Sequence, residues 1–396
     1  MGDRTRRLHR RGQYELARPG VRRAGAVLAG VGLAVLAVGY AVALWRIPGW
    51  MGLNGEGGDA KDRHNARLLV VSAGGAVVVA ISLLYTARNY RLSHRGQVTD
   101  RFTKALERLS STDIDARLGG IHALEHVAAD SRPHHDDVVE VLEAFVRRRA
   151  PTARRDDGGP TLGRPRPLPD QPEADVQATL TALATRPHRP ERRTLDLSRL
   201  HLANARLRDA DLRHADLQGA DLRDADLLRA NMRDAILWRT NLRRANLSRA
   251  SLRDAILWQA DLRRASLQNA SLQDTNLRGA DLQNADLRNA SLRGADLRGV
   301  DLQNANLRYA SLQNTDLRDA ILRDASLRDA GLRGASLRDA DLRGADLQDA
   351  NLRYASLQKA DLRGADLRGV DMRNIGGIAE AKVRAMARVD ERTRFS

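Results

Sequence analysis

The chain of 396 residues contains no cysteine. That excludes a disulfide framework and any cysteine-held metal, and it fits a reducing compartment. Aromatic residues are almost as scarce, at 3% of the chain, so an ordinary aromatic-rich core cannot be assembled. Each of the four tryptophans therefore needs a reason. Lysine occurs 4 times against 62 arginines. Proline, present 11 times, is absent from residue 191 to the end, as expected where backbone N–H groups pair in ladders.

The net charge of +16 raises a nucleic-acid reading, so its location matters. Residues 191–375 hold 32 Lys/Arg and 27 Asp/Glu, a net of only +5. The N-terminal arm, 1–23, carries eight arginines against Asp3 and Glu15. A basic arm followed by a hydrophobic run is a membrane-topology signal before it is a nucleic-acid patch.

Two such runs follow. Residues 24–45, AGAVLAGVGLAVLAVGYAVALW, and 68–87, LLVVSAGGAVVVAISLLYTA, are free of Asp, Glu, Lys, Arg and His. Roughly 20 apolar residues cross a bilayer core as a helix, which satisfies every backbone polar group internally. The predicted partner is the lipid bilayer, entered by an integral helical hairpin with an external loop at 46–67. Arginines before the first run and after the second, at Arg88, Arg91, Arg95 and Arg101, place both termini in the cytoplasm. Gly25, Ala29, Gly30 and Ala34 would pack against Ser72, Gly75 and Ala76, since small residues let helices approach. A transporter or proton path usually needs an ionisable residue in its spans; an anchor does not.

Residues 88–149 read as a helical juxtamembrane module. Phe102, Leu106 and Leu109, then Ile114, Leu118, Ile121 and Leu124, fall at helical spacing. A third helix follows Pro133, with Asp136 as its expected cap. His122, Glu125 and His126 match the H-x-x-E-H form of inverted zinc metalloproteases. The module is small and offers no clear third ligand, so polar positions on an amphipathic helix are the preferred reading. Residues 150–173 hold six of the prolines and read as an extended linker. Residues 174–194 are expected to form a cap.

From Leu197 to Met372 a large aliphatic residue recurs every five positions, giving 36 centres, of which 34 are Leu and two are Met232 and Met372. The residue two before each centre is nearly always Ala, with Thr240, Thr275, Val300 and Thr315 among the exceptions. A period of five is neither a helix, where successive centres would spiral round every side, nor a continuous strand, where they would alternate between faces. It fits a chain that turns a corner every five residues. Ala and Leu then point inward, and the position rich in Gly, Asn and Asp makes the turn.

The segment ADLRGADLQDANLRYASL resembles the pentapeptide-repeat family, whose motif is A-(D/N)-L-x-x, and the likeness runs over 195–375. It implies an all-β solenoid: a right-handed quadrilateral parallel β-helix with one pentapeptide per side, 20 residues per coil and about nine coils. At about 4.8 Å per coil the column would stand roughly 43 Å tall. The segment that follows the two spans, RGQVTDRFTKALERL onward, resembles the juxtamembrane region of some bacterial members. That implies a bacterial membrane protein with two spans and a helical module, while the segment IAEAKVRAMARV, 378–389, is the candidate C-terminal cap helix within 376–396.

Solenoids need capped ends, and a Leu/Ala interior leaves no pocket. No enzyme, cofactor or metal is expected. The leading reading is a membrane-tethered scaffold that binds a protein partner or itself. The family's best-known activity, imitation of DNA to act on type II topoisomerases, needs a strongly acidic surface that +5 does not supply. Direct binding of nucleic acid or anionic lipid would use a ladder at Arg278, Arg298, Arg318 and Arg338, with steep salt dependence; interleaved aspartates argue against it. With 20 residues per coil, Ile236 lies over Ile256 and Trp238 over Trp258, both on an outward face. Arg278 would stand over Trp258 for a cation–π contact. These five residues are the candidate interaction patch.

Overall fold

A leucine every five residues can enter one core only if every fifth peptide turns, and the chain does this throughout its C-terminal half. The computed structural model describes residues 38–42, 46, 60–153 and 167–395. It divides into two units, Met1–Gln97 and Val98–Ser396.

In the first unit, residues 38–42 are helical. The rest of the predicted first span, and with it Gly25, Ala29, Gly30 and Ala34, lies outside the described residues, as does most of the predicted external loop. Helix α1 (Ala60–Leu109) runs uninterrupted for 50 residues, so residues 60–67 are helix rather than loop, and no break separates the second span from the module. Between Ala87 and Thr99 there is no proline and only a single glycine, Gly96, so nothing stops the helix. Val71–Tyr90 is, among the described residues, the one segment long and apolar enough to cross a membrane. Tyr40 donates from its hydroxyl to the Val71 carbonyl at 3.4 Å, and its ring fills the space over Gly74, where a Cβ would collide with it. The close approach is therefore at Gly74. A Cβ at Gly75 would meet nothing, and the Ser72 hydroxyl turns back to the Leu68 carbonyl of its own helix at 2.7 Å.

In the second unit the end of α1 is joined by α2 (Ile114–Asp130), α3 (Arg132–Arg149) and α4 (Ala174–Ala184). Leu109, Ile121 and Leu124 are buried, whereas Ile114 stays exposed. Gly120 lets α2 meet the backbone of α1, because a Cβ there would lie 2.9 Å from the Ala105 carbonyl oxygen. Arg117 and Asp175, both buried, pair at 2.7 Å, and Arg149 reaches the same carboxylate at 3.1 Å. Helix α3 begins one turn earlier than Asp136, after Ser131; Asp136 instead pairs with Arg192 at 3.1 Å.

The repeat then builds the rod. Parallel bridges pair each residue before a core centre with the residue 20 positions on, from Asp196↔Asp216 to Ser356↔Gly376. Four pentapeptides therefore complete a coil. In each corner the residue two after the core centre takes a left-handed backbone, φ +55 to +72° within the repeat, and from the second corner on the next N–H bonds back to the carbonyl of that centre, as Ala205 does to Leu202 at 3.1 Å. A positive φ at the third turn residue alone is the type II pattern. The Leu and Ala columns are almost wholly buried, each Leu contributing about 1.5–3 kcal/mol of transfer free energy. The threonines that interrupt the Ala column have a use for their hydroxyls: Thr240 donates to the Leu217 carbonyl at 2.8 Å and Thr275 to the Leu252 carbonyl at 2.9 Å.

An open solenoid end presents unpaired backbone N–H groups on every side. At the first coil four such groups are met by residues of three different elements. Asp196 N–H donates to the Glu143 carboxylate at 3.2 Å, and His201 N–H to the Pro151 carbonyl at 2.8 Å. Arg206 N–H donates to the Gln177 side-chain oxygen at 2.9 Å, and Asp211 N–H to the Ala184 carbonyl at 2.9 Å. The cap therefore extends beyond residues 174–194 to α3 and to the start of the Pro-rich segment. Residues 154–166 of that segment lie outside the described residues, but its two ends are not loose: Thr152 bridges Leu200 and the Pro169 carbonyl meets His201 Nε2 at 2.8 Å. At the far end the predicted cap helix is only α5, Glu380–Met386. The chain then returns as two further bridges, Asp366↔Arg388 and Asp371↔Arg394.

Candidate interaction surface

The outward positions of the rod flank each core leucine, one before and one after. Where the first is Asp or Asn, its Oδ1 typically accepts the N–H of the residue two on, as from Gln218 to Asp216 at 2.9 Å, which stiffens the side before it turns. Where the second is Arg, the same aspartate usually holds its guanidinium. Arg298 donates through Nε to Asp296 Oδ1 at 2.8 Å and Arg318 to Asp316 Oδ1 at 2.8 Å. These hydrogen bonds hold both carboxyls below the usual carboxylate range. Two rungs of the predicted Arg ladder are thus committed to in-chain carboxylates. Arg278 and Arg338 follow Asn276 and Ser336 instead, and make no ion pair among the described residues.

The monotony breaks at Ile236, Trp238, Ile256 and Trp258. Ile236 and Ile256 pair directly as a parallel bridge. The indoles of Trp238 and Trp258 stack with ring centroids 5.5 Å apart and planes 7° from parallel. Ile236, Ile256 and Trp258 keep 36%, 41% and 39% exposure, although α2 and α3 belong to the same unit, so those helices do not cover them. Trp238 lies half-buried in the stack, and its Nε1 is buried with no hydrogen-bond acceptor among the described residues.

The cation at this stack is not Arg278. It is Arg239, whose guanidinium carbon stands 5.0 Å from the Trp238 ring centroid while its Nε donates to the Gln259 side chain at 2.8 Å. Arg278 is exposed and lies near enough to Asp296 to lower its pKa. Spacing by 20 places Arg278 above Trp258 but cannot say which way it leans. Arg239 occupies the left-handed corner beside Trp238, φ +55°, and was recognisable as the nearest cation along the chain.

The H-x-x-E-H segment lies on α2 with His122 and His126 exposed; His122 Nδ1 is 3.5 Å from Glu125. No group of three metal-ligating side chains gathers there or elsewhere among the described residues.

A family model described as pentapeptide repeats matches this chain in eight copies, over 196–227, 230–269, 245–284, 301–339 and 335–374. Among solved structures, HetL, a pentapeptide repeat protein involved in heterocyst differentiation regulation in the cyanobacterium Nostoc, is 35% identical. The match covers 46% of this chain and 82% of HetL, with a TM-score of 0.20. A pentapeptide repeat protein of the Arabidopsis thaliana thylakoid lumen is 24% identical over 29% of this chain and 75% of its own, TM-score 0.26. QnrB1, a plasmid-mediated fluoroquinolone resistance protein, is 21% identical over 45% of this chain and 81% of its own, TM-score 0.24. No curated protein matches the chain.

Proposed function

We propose that this chain, which belongs to the pentapeptide-repeat family, is a non-enzymatic, membrane-tethered scaffold whose rod binds a protein partner at the Ile236–Trp258 patch. Members of the family are generally structural or interaction proteins. The observation that carries the reading is the stacked, partly exposed Trp238–Trp258 pair beside two isoleucines, on a rod whose other outward positions are mainly polar or charge-paired. A contiguous apolar patch on such a surface marks a contact. The tether is supported by Val71–Tyr90, whose Val78, Leu83 and Leu84 are 65–71% exposed, apolar area poorly suited to water. The two-span arrangement with both ends cytoplasmic belongs to the same proposal and rests on the charge pattern alone.

The other readings lose ground. A net of +5 over residues 191–375 opposes imitation of DNA, and the Arg298 and Arg318 forks oppose a phosphate-binding ladder. The test replaces Trp238 and Trp258 with glutamine, which occupies the same column at Gln218 and Gln358. Cross-linking in native membranes followed by mass spectrometry should yield a partner, or the chain itself, cross-linked within 236–258 in the wild type. It should be lost in Trp238→Gln/Trp258→Gln, while both proteins resist alkaline extraction from the membrane. Cross-links unchanged by the substitutions would remove the proposed site, and extraction at alkaline pH would remove the tether.

A further inference from the structure

Ten arginines that follow a core residue are gripped by the aspartate two residues earlier through paired Nε and Nη2 hydrogen bonds, with Nε–Oδ1 distances of 2.7–3.0 Å. The nonapeptide ANLRYASLQ, at 305–313 and again at 350–358, departs from that arrangement twice in the same way. Asn306 and Asn351 still accept the backbone N–H of Arg308 at 3.3 Å and of Arg353 at 3.1 Å. The turn bond is kept, but the carboxylate is gone. In the corner that follows stands a tyrosine with a left-handed backbone, Tyr309 at φ +61° and Tyr354 at φ +59°. Every corner of the rod is left-handed, and among these corners only Tyr309 and Tyr354 place a phenol ring.

Each arginine leans on its ring. Arg308 lies 5.6 Å from the Tyr309 centroid, and Arg353 and Arg333 lie 5.4 and 5.5 Å from that of Tyr354. Nε of Arg308 and of Arg353 is buried with no acceptor among the described residues, and Arg333 follows Gly331 rather than an aspartate. The tyrosines themselves are 52% and 50% exposed. They stand at the two corners of one side of the rod, the side that carries Leu312 and Leu332, separated along the axis by two and a quarter coils, about 11 Å. From Asn231 to Arg353 the outward positions flanking the core leucines of this side hold no Asp or Glu over seven successive coils, whereas over the same span the opposite side carries four aspartates, Asp261, Asp281, Asp301 and Asp341.

We propose that this side, between Tyr309 and Tyr354, together with the adjoining edge at Arg308 just before the Tyr309 corner, binds an acidic segment of a protein partner, whose Asp or Glu carboxylates take the places at Arg308, Arg333 and Arg353 that in-chain aspartates take elsewhere. An incoming carboxylate that draws each guanidinium into the fork geometry satisfies the unpaired Nε. Carboxylates are favoured over a phosphate backbone because they are the groups that the arginines following a core leucine grip elsewhere on this rod. The surface is distinct from the Ile/Trp patch, and neither proposal depends on the other.

Fluorescence anisotropy on the full chain in detergent micelles tests it, with a fluorescein-labelled peptide of alternating Asp and Glu as probe. An Asn/Gln peptide of equal length and a single-stranded oligothymidylate serve as comparisons. The acidic peptide should bind in preference to both and weaken with salt. Arg308→Gln and Arg353→Gln should each lower its affinity about tenfold. Tyr309→Asn with Tyr354→Asn, which keeps a residue common in these corners, should weaken it as well. Arg243→Gln with Arg278→Gln, which removes two arginines of other sides that also follow asparagine, should leave it unchanged. Equal binding of the Asn/Gln peptide, equal loss in the Arg243/Arg278 pair, or tighter binding of oligothymidylate would each overturn the proposal.

Discussion

His201 offers a pH-dependent test of how the first coil is sealed. Its ring is buried, 3% exposed, between Asp221 Oδ2 at 2.8 Å from Nδ1 and the Pro169 carbonyl at 2.8 Å from Nε2. Both neighbours only accept, so both hydrogen bonds exist together only when the ring carries two protons. The hydrogen bond to Asp221 is the main reason that the His201 pKa is raised above 6.5, opposed by burial. Burial pushes Asp221 up, but His201 and Arg223 outweigh it and bring the carboxyl to about 2. The stability that His201 contributes is therefore complete below pH 6.5 and lost as pH rises through its raised value. The contribution of Asp221 is complete above its ordinary value near 3.8 and lost as pH falls toward 2. The contact is strongest between roughly pH 4 and 6.5, where a charge-assisted bond contributes about 1.5–3 kcal/mol. Because His201 also pins Pro169, the local readout is hydrogen exchange of residues 167–173, measured by mass spectrometry on the full chain and corrected for intrinsic rates. Opening should be about ten- to a hundredfold more frequent at pH 8.5 than at pH 6. His201→Asn, a residue found in that column at Asn241, should open readily at both. Wild-type protection that is flat across this range, or an equal pH response in His201→Asn, would refute the reasoning.

Two further outcomes follow from the ends and the corners. Gln177 meets both the N–H and the carbonyl of Arg206, each at 2.9 Å, so Gln177→Leu leaves two edge groups to water and should cost about 1–3 kcal/mol. The loss should appear as faster hydrogen exchange in the first coil with the middle coils unchanged, since a solenoid transmits stability through neighbours; uniform exchange along the rod would contradict it. Arg264 holds φ +59° and its side chain makes no hydrogen bond or ion pair among the described residues, so Arg264→Gly, which keeps the backbone bond to the Gln283 carbonyl, should be neutral to stabilising by up to about 1 kcal/mol in chemical denaturation. A destabilisation of that size would mean that the arginine makes a contact.

The rod was legible because its signal is redundant. Thirty-six centres in one register leave a corner every five residues as the one geometry that keeps Leu217, Leu237 and Leu257 in one column, and the bridges spaced by 20 residues follow. What was not legible has no period. The groups that seal the first coil come from Glu143, Pro151, Gln177 and Ala184, scattered over three elements, and none carries a local mark of its role. Helix α1 hid its continuity because apolar content changes at Ala87 while helical geometry does not. At the patch, stacking could be read from spacing, but the choice of Arg239 over Arg278 depends on Gln259 and Asp296 drawing each arginine its own way.

The Arg–Asp forks look like the strength of the rod and are not. Exposed ion pairs contribute little to stability, because water screens them and long side chains resist being fixed. The stability lies in the buried Leu and Ala columns and in the ladders between coils, neither of which involves an outward side chain. Outward positions are therefore nearly free to change without unfolding the protein. The ten forks have a different consequence: each guanidinium that grips its own aspartate is unavailable to a partner, so most of the rod is self-satisfied. Against that background, the two proposed recognition sites fall where self-pairing fails, at Trp238 and Trp258 with their uncovered isoleucines, and at Arg308 and Arg353 with asparagine in place of aspartate. The same logic makes the substitutions interpretable. Exchanging Trp258 for glutamine or Arg353 for glutamine alters an outward position and leaves Leu257 and Leu352 in place beneath it, so a lost interaction reports the surface and not the fold.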